Sequence, residues 1–124
     1  MKVVRKEEVP EALVAPLGEL IYEFFGPPAD QGGSLKHSLA YVVIPPGKLS
    51  PKHYHESAEE SYFMLKGTAR MIMDDKEFTI SKGQALLVMP GEVHQIFNDS
   101  DSDVELIVTC APAWTPDDFH ILDS

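Results

Sequence analysis

The chain has a single cysteine, Cys110, among 124 residues, so no disulfide can form within it. One free thiol suits a reducing compartment, and the cytoplasm is the expected location. Basic residues are scarce as well: ten Lys and Arg against twenty Asp and Glu give a formal net charge of -10. Affinity for a phosphate backbone rests on Lys and Arg, so no nucleic acid is expected as a partner. The same balance argues against docking on an anionic membrane surface. No stretch reaches the roughly 20 apolar residues of a membrane-spanning helix, so no membrane partner is expected. Residues 1–10 carry basic groups without a following apolar run and do not read as a secretory signal. The sequence also lacks a phosphate-cradling glycine loop, a nucleophile elbow and a cysteine pair.

What is present is the texture of a small all-β domain. The length suits one domain with one core, and 44% hydrophobic with 24% charged residues is an ordinary globular composition. Ten prolines and eight glycines punctuate the chain throughout, which favours many short elements over a few long helices. Residues 18–25 (GELIYEFF) read as a strand, with an arm outside the main barrel as one arrangement. Residues 37–44 form a second strand, followed by short candidates at 52–55, 61–66, 69–73, 77–80, 84–89, 95–98 and 104–110. Strands this short, with turns every eight to twelve residues, predict a sandwich or barrel. Residues 7–17 could form a short helix within the limits set by Pro10 and Pro16. The tail from Pro112 onward reads either as a helical turn near 114–118 or as an extended flap across the barrel. The acidic run from Asp99 to Asp103 lacks the glycine and terminal glutamate of a calcium loop and reads as a solvated hairpin turn.

Some strands are apolar on both faces. In residues 61–66, Tyr62 and Met64 share one face while Phe63 and Leu65 share the other, and every residue from 85 to 89 is apolar. A second surface is expected over these strands, most economically a second copy of the chain in a homodimer.

The chemistry concentrates between Gly47 and Asn98. Residues two apart on a strand share a face, so His53 and His55 can aim both imidazoles at one point. A carboxylate a few residues later can approach from the neighbouring strand. Two neutral nitrogens and an anionic oxygen suit one divalent transition metal: Fe, Mn, Ni, Co or Zn. A fourth donor, His94, starts a strand just after a Pro-Gly turn.

This pattern resembles the cupin superfamily. Its first motif is a Gly, five residues, His-x-His, three or four residues, Glu, six residues, Gly, and Gly47, His53, His55, Glu60 and Gly67 meet every spacing. The second motif is matched by Gly83, Gly91, His94 and Asn98, although Met89 stands where its first proline is usual. Of the adjacent carboxylates Glu59 and Glu60, only Glu60 lies six residues before Gly67. Alternation also puts it on the face of Tyr62 and Met64, leaving Glu59 to solvent.

The resemblance implies a single-domain cupin β-barrel, a double-stranded β-helix or jelly roll, with an N-terminal strand arm. Residues 1–34 would be arm and strand, 35–112 the barrel and 113–124 the tail. It implies a metal held by His53, His55, Glu60 and His94, with Asn98 supporting the site by hydrogen bonding. Four protein ligands leave one or two positions for a small-molecule substrate. With no further acid or base visible in the motifs, the expected chemistry is that of a metal-dependent oxidoreductase of dioxygenase type. A non-catalytic binding or sensing cupin is the alternative, and a sugar isomerase or epimerase would call for more basic residues near the pocket. His37 and His120 lack spaced partners. Met64, Met71, Met73 and Met89 read as core filling or pocket lining, Tyr62 and Phe97 as barrel or pocket residues, and Cys110 as buried.

Overall fold

The computed structural model describes residues 1–9 and 12–122. Its first six strands are β1 (Leu13–Val14), β2 (Leu20–Phe25), β3 (Ser38–Ile44), β4 (His53–His55), β5 (Glu59–Lys66) and β6 (Thr68–Met73). These are followed by β7 (Lys76–Ser81), β8 (Ala85–Val88), β9 (His94–Phe97), β10 (Val104–Ala111) and β11 (Phe119–Ile121). Three single-turn 3-10 helices complete the secondary structure, at Lys6–Glu8, Ala29–Gln31 and Pro116–Asp118. Among the described residues, no helix is long and apolar enough to cross a membrane.

The strands form two antiparallel sheets, ordered β1-β2-β3-β10-β5-β8 and β11-β4-β9-β6-β7. Strand alternation turns one side chain in two toward the opposite sheet. In β5 the burial pattern runs exposed-buried from Glu59, which puts Glu60, Tyr62 and Met64 inside. Val42, Ile44, Met64 and Leu106 of the first sheet meet Ala69, Met71, Ile80 and Ile96 of the second in one buried cluster. Full burial contributes about 1.5–3 kcal/mol for each large side chain such as Ile44, Met71 or Leu106. The sheets are therefore packed face to face, as a double-stranded β-helix requires.

Every strand read from the sequence is present, with bounds moved by a residue or two. The N-terminal arm takes the form of β1 and β2, which extend the first sheet beyond β3 and line its inner side. Segment 7–17 holds no described helix beyond the turn at Lys6–Glu8, whose Lys6 ammonium sits over the rings of Tyr22 (4.8 Å) and Tyr41 (4.6 Å). The tail does both things expected of it: a helical turn at Pro116–Asp118 leads into β11, which pairs with β4. The acidic run is not a hairpin turn. It carries the chain from β9 in one sheet to β10 in the other.

That crossing is where Asn98 acts. Its buried Nδ2 donates to the carbonyls of Ile44 and Ser102 at 2.7 Å each, and its Oδ1 accepts from Ser100. It braces the turn against β3 and bonds to none of the four metal-ligand candidates, contrary to the supporting role expected of it. Gly67 is demanded in the same region: its φ is +84° and an added Cβ would lie 2.9 Å from the Asp103 carbonyl, a conformation costly for any L side chain. On the outer side of β5 and β8, Phe63 and Leu87 remain 44% and 54% exposed, so the second apolar face predicted from the sequence is present in the single chain.

Candidate metal centre

His53, His55, Glu60 and His94 converge inside the barrel, each offering one donor atom within 4.8 Å of the others, and all four are buried. The convergence follows from strand geometry. On β4, alternation buries both histidines and turns Tyr54 outward, where it stacks on His120. His53 lies directly opposite His94 in the β4–β9 register. Glu60 does not come from a strand beside β4, as the sequence reading had it. β5 belongs to the other sheet, so three imidazoles face one carboxylate across the interior. The chain leaves one sheet for the other between His55 and Glu59, within three residues.

Tautomers are set by backbone carbonyls. His53 Nδ1 donates to Pro51 O at 2.8 Å and His94 Nδ1 to Glu92 O at 2.9 Å, which leaves the Nε2 lone pair of each ring free to bind an ion. His94 Nε2 lies 2.8 Å from Glu60 Oε1. His55 Nε2 lies 3.3 Å from Glu60 Oε2 but off the line of a hydrogen bond, so both nitrogens of this buried ring lack a partner. Orphaned buried nitrogens are costly, and an ion among the four donors would satisfy them. The set fits a divalent transition metal.

Charge in the cluster is strongly coupled. Burial alone would push the Glu60 carboxyl up, but its histidine partners, His94 with the aligned bond, hold it well below the usual carboxylate range. Burial pulls His94 down, yet Glu60 reverses the sign and raises it. His53 is pushed down to about 4 by burial and by the nearby His94 charge. Cys110 Sγ donates to Glu60 Oε2 at 3.3 Å, and burial first, then the Glu60 charge, pushes its thiol far up. It is an inert neighbour of the site, as expected.

Beside the cluster lies a cavity of about 340 Å³, onto which His53 and Glu60 open. Its walls are mainly aliphatic, including Ala40, Val42, Leu106 and Val108, and no Lys or Arg lines it among the described residues. Exposed Leu13, Val14 and Ile121 form its rim. Tyr62 lines it too, its phenol pushed well above the usual range by burial and then by Glu60. Of the two readings open for the methionines, core filling holds for Met64 and Met71, while Met89 is exposed and none lines the cavity among the described residues. Phe97 packs under the Arg70 guanidinium instead.

The sequence reading missed two carboxylates in this wall, Glu19 and Glu23. A signal was available, since both alternate with Ile21 on one face of an otherwise apolar strand. Burial, then the charge of Glu60, pushes Glu19 up to about 7.

The cupin domain family model matches residues 40–110. The chain is a cupin. Over 99% of this cupin and 98% of its relative, it is 27% identical to the uncharacterised protein MJ1618 of Methanocaldococcus jannaschii. Among solved structures, the polyketide cyclase RemF of Streptomyces resistomycificus superposes with a TM-score of 0.78 at 18% identity, covering 100% of this chain and 87% of that one. A predicted oxalate decarboxylase of Thermotoga maritima gives 0.76 at 24% identity, covering 90% and 99%. At such identities these neighbours share the fold with this cupin, while their activities differ from one another.

Proposed function

We propose that this cupin is a metal-dependent oxidoreductase of dioxygenase type acting on a neutral, mainly apolar small molecule with oxygens placed to chelate an ion. The observation that carries the reading is the cavity, which opens on His53 and Glu60 yet has aliphatic walls and no Lys or Arg. His53, His55, Glu60 and His94 would hold the ion, which supplies Lewis acidity and a site for dioxygen. A sugar phosphate would find no Lys or Arg in this wall for its phosphate, and an oxalate dianion no basic side chain for the carboxylate left off the ion, among the described residues. The aliphatic walls instead suit a ligand with a broad apolar body, held by burial and oriented by its polar end.

The test is oxygen uptake by Fe(II)-loaded protein against catechols, flavonols, β-diketones and enediols. Uptake matched to loss of one of these compounds is the expected result. Tight binding of such compounds without oxygen consumption would overturn the oxidoreductase and leave a binding or sensing cupin.

We also propose that the chain is a homodimer, because Phe63 and Leu87 form an apolar outer face on β5 and β8, a surface that a second copy would remove from water.

A further inference from the structure

Glu19 lines the same cavity as His53 and Glu60, and the charge of Glu60 outweighs that of His94 on its carboxyl. Its place is fixed by the backbone, since Ala15 N–H donates to the Glu19 carbonyl at 2.9 Å and closes the turn into β2. The side chain has no hydrogen bond or ion pair among the described residues. The titratable groups around the same cavity are Glu23 on its own strand, His53 on β4, Glu60 and Tyr62 on β5, His94 on β9 beside the cavity, and Cys110 on β10. Glu23 cannot serve the cluster equally. Its carboxylate is folded against Gly26, where an added Cβ would collide with it, whereas Glu19 is near enough to Glu60 and His94 to feel both charges.

We propose that Glu19 is the proton acceptor for substrates that must lose a hydroxyl proton in order to chelate at the His53–His55–Glu60–His94 cluster, so that enols, catechols and hydroxyketones are the favoured class. In this step the substrate O–H bond breaks, its electron pair stays on the oxygen, and the proton forms an O–H bond on the Glu19 carboxylate. Nothing is oxidised or reduced. A carboxyl pushed up to about 7 by burial and by Glu60 is a competent acceptor near neutral pH, because acid–base catalysis is most effective when the group titrates near the working pH. The inference rests on the metal-dependent reading above.

The test uses Zn(II)-loaded protein and two chelating probes. 4-Nitrocatechol loses protons on chelation and reports its ionisation by colour, while 2,2′-bipyridine chelates without losing any. In the parent protein, 4-nitrocatechol is expected to chelate at and above about pH 7, with one of its hydroxyl protons passed to Glu19 and the other released to the buffer. In stopped-flow mixing, Glu19→Gln should slow that chelation by about tenfold or more at pH 7–8, where Glu19 is the free carboxylate, with the difference shrinking toward pH 6, and should leave bipyridine association unaffected. Glu19→Asp should restore part of the rate, and Glu59→Gln, on the exposed face of β5, should change neither probe. Equal nitrocatechol association rates and pH profile in Glu19→Gln and the parent would overturn the role of Glu19, as would parallel slowing for both probes. Failure of the parent protein to retain Zn(II), or to bind either probe, would instead overturn the metal-dependent reading and this inference with it.

Discussion

The carboxylate of Asp118 holds the backbone of Ala58: the Ala58 N–H donates to Oδ2 at 3.0 Å, and the adjacent Ser57 N–H donates to Oδ1 at 2.7 Å. Asp118 belongs to the tail, while Ser57 and Ala58 form the passage from His55 to Glu60. The tail therefore secures the short crossing that delivers ligands from both sheets. Asp118→Ala leaves the buried amide of Ala58 without its acceptor and should cost about 2 kcal/mol. That lowers Tm by about 6–10 °C in calorimetry and weakens metal retention as well. Asp118→Asn, with one acceptor oxygen, should fall between the two.

Glu60→Gln should cost more in metal affinity than the roughly 10–100-fold typical of losing an outer-sphere partner. Glu59→Gln should change nothing, since Glu59 is exposed on the opposite face of β5. His94→Ala should behave like Glu60→Gln, and His37→Ala like Glu59→Gln. Elemental analysis of the untagged variants distinguishes these outcomes.

Metal retention should fall with acidity. Both His94 Nε2 and Glu60 Oε1 are acceptors once His94 Nδ1 is spent on Glu92, so their 2.8 Å approach needs a shared proton when no ion is bound. An ion displaces that proton, and displacing one proton makes affinity drop about tenfold per pH unit over the range where the pair is protonated. The raised His94 sets the sign for the ion-free protein: its contribution to stability is full below the ordinary histidine value and is lost as pH rises through the raised one. Isothermal titration with Zn(II) in buffers of different ionisation enthalpy would count the released proton.

Glu19 gives a second, opposite-wall signature. Its carboxyl is raised from the ordinary 4.5 to about 7, so the fold favours the protonated form. Its contribution to stability is complete below about pH 4.5 and is lost as pH rises through about 7. Glu19→Gln should remove this slope, worth about 3 kcal/mol at most across the window, and make the variant more stable than the parent at pH 8. Urea melts at pH 5 and pH 8 measure it.

Leu87→Lys, or Phe63→Glu, should convert the proposed homodimer to monomer without unfolding it, because both side chains are already exposed in the single chain. Sedimentation equilibrium at micromolar concentration checks this, and a parent protein that sediments as a monomer would remove the dimer.

Strand positions and the convergence of His53, His55, Glu60 and His94 were legible in the sequence because both follow from period-two alternation and local spacing. His53 and His55 share a face whatever the sheet, and Gly67 sits where only glycine tolerates the turn. What was not legible depended on pairing between distant segments. Nothing local says that Glu60 enters from the opposite sheet, or that Asn98 spends its amide on Ile44 and Ser102 rather than on the cluster. Glu19 was overlooked because it lies outside the spaced histidines, and its importance comes from a wall built by β2, β3 and β10 together. The acidic run looked like a hairpin because a polar turn between two strands carries no mark of which sheet each strand joins.

Three imidazoles on one sheet and a carboxylate on the other make the centre a clasp across a seam otherwise closed by greasy contacts. An ion seated there would resist the two sheets drawing apart near β4 and β9, but would do little at β7, on the far edge. Loading should therefore slow amide exchange locally, grading the barrel from a pinned end to a breathing one, with the cavity mouth at Leu13, Val14 and Ile121 on the pinned side.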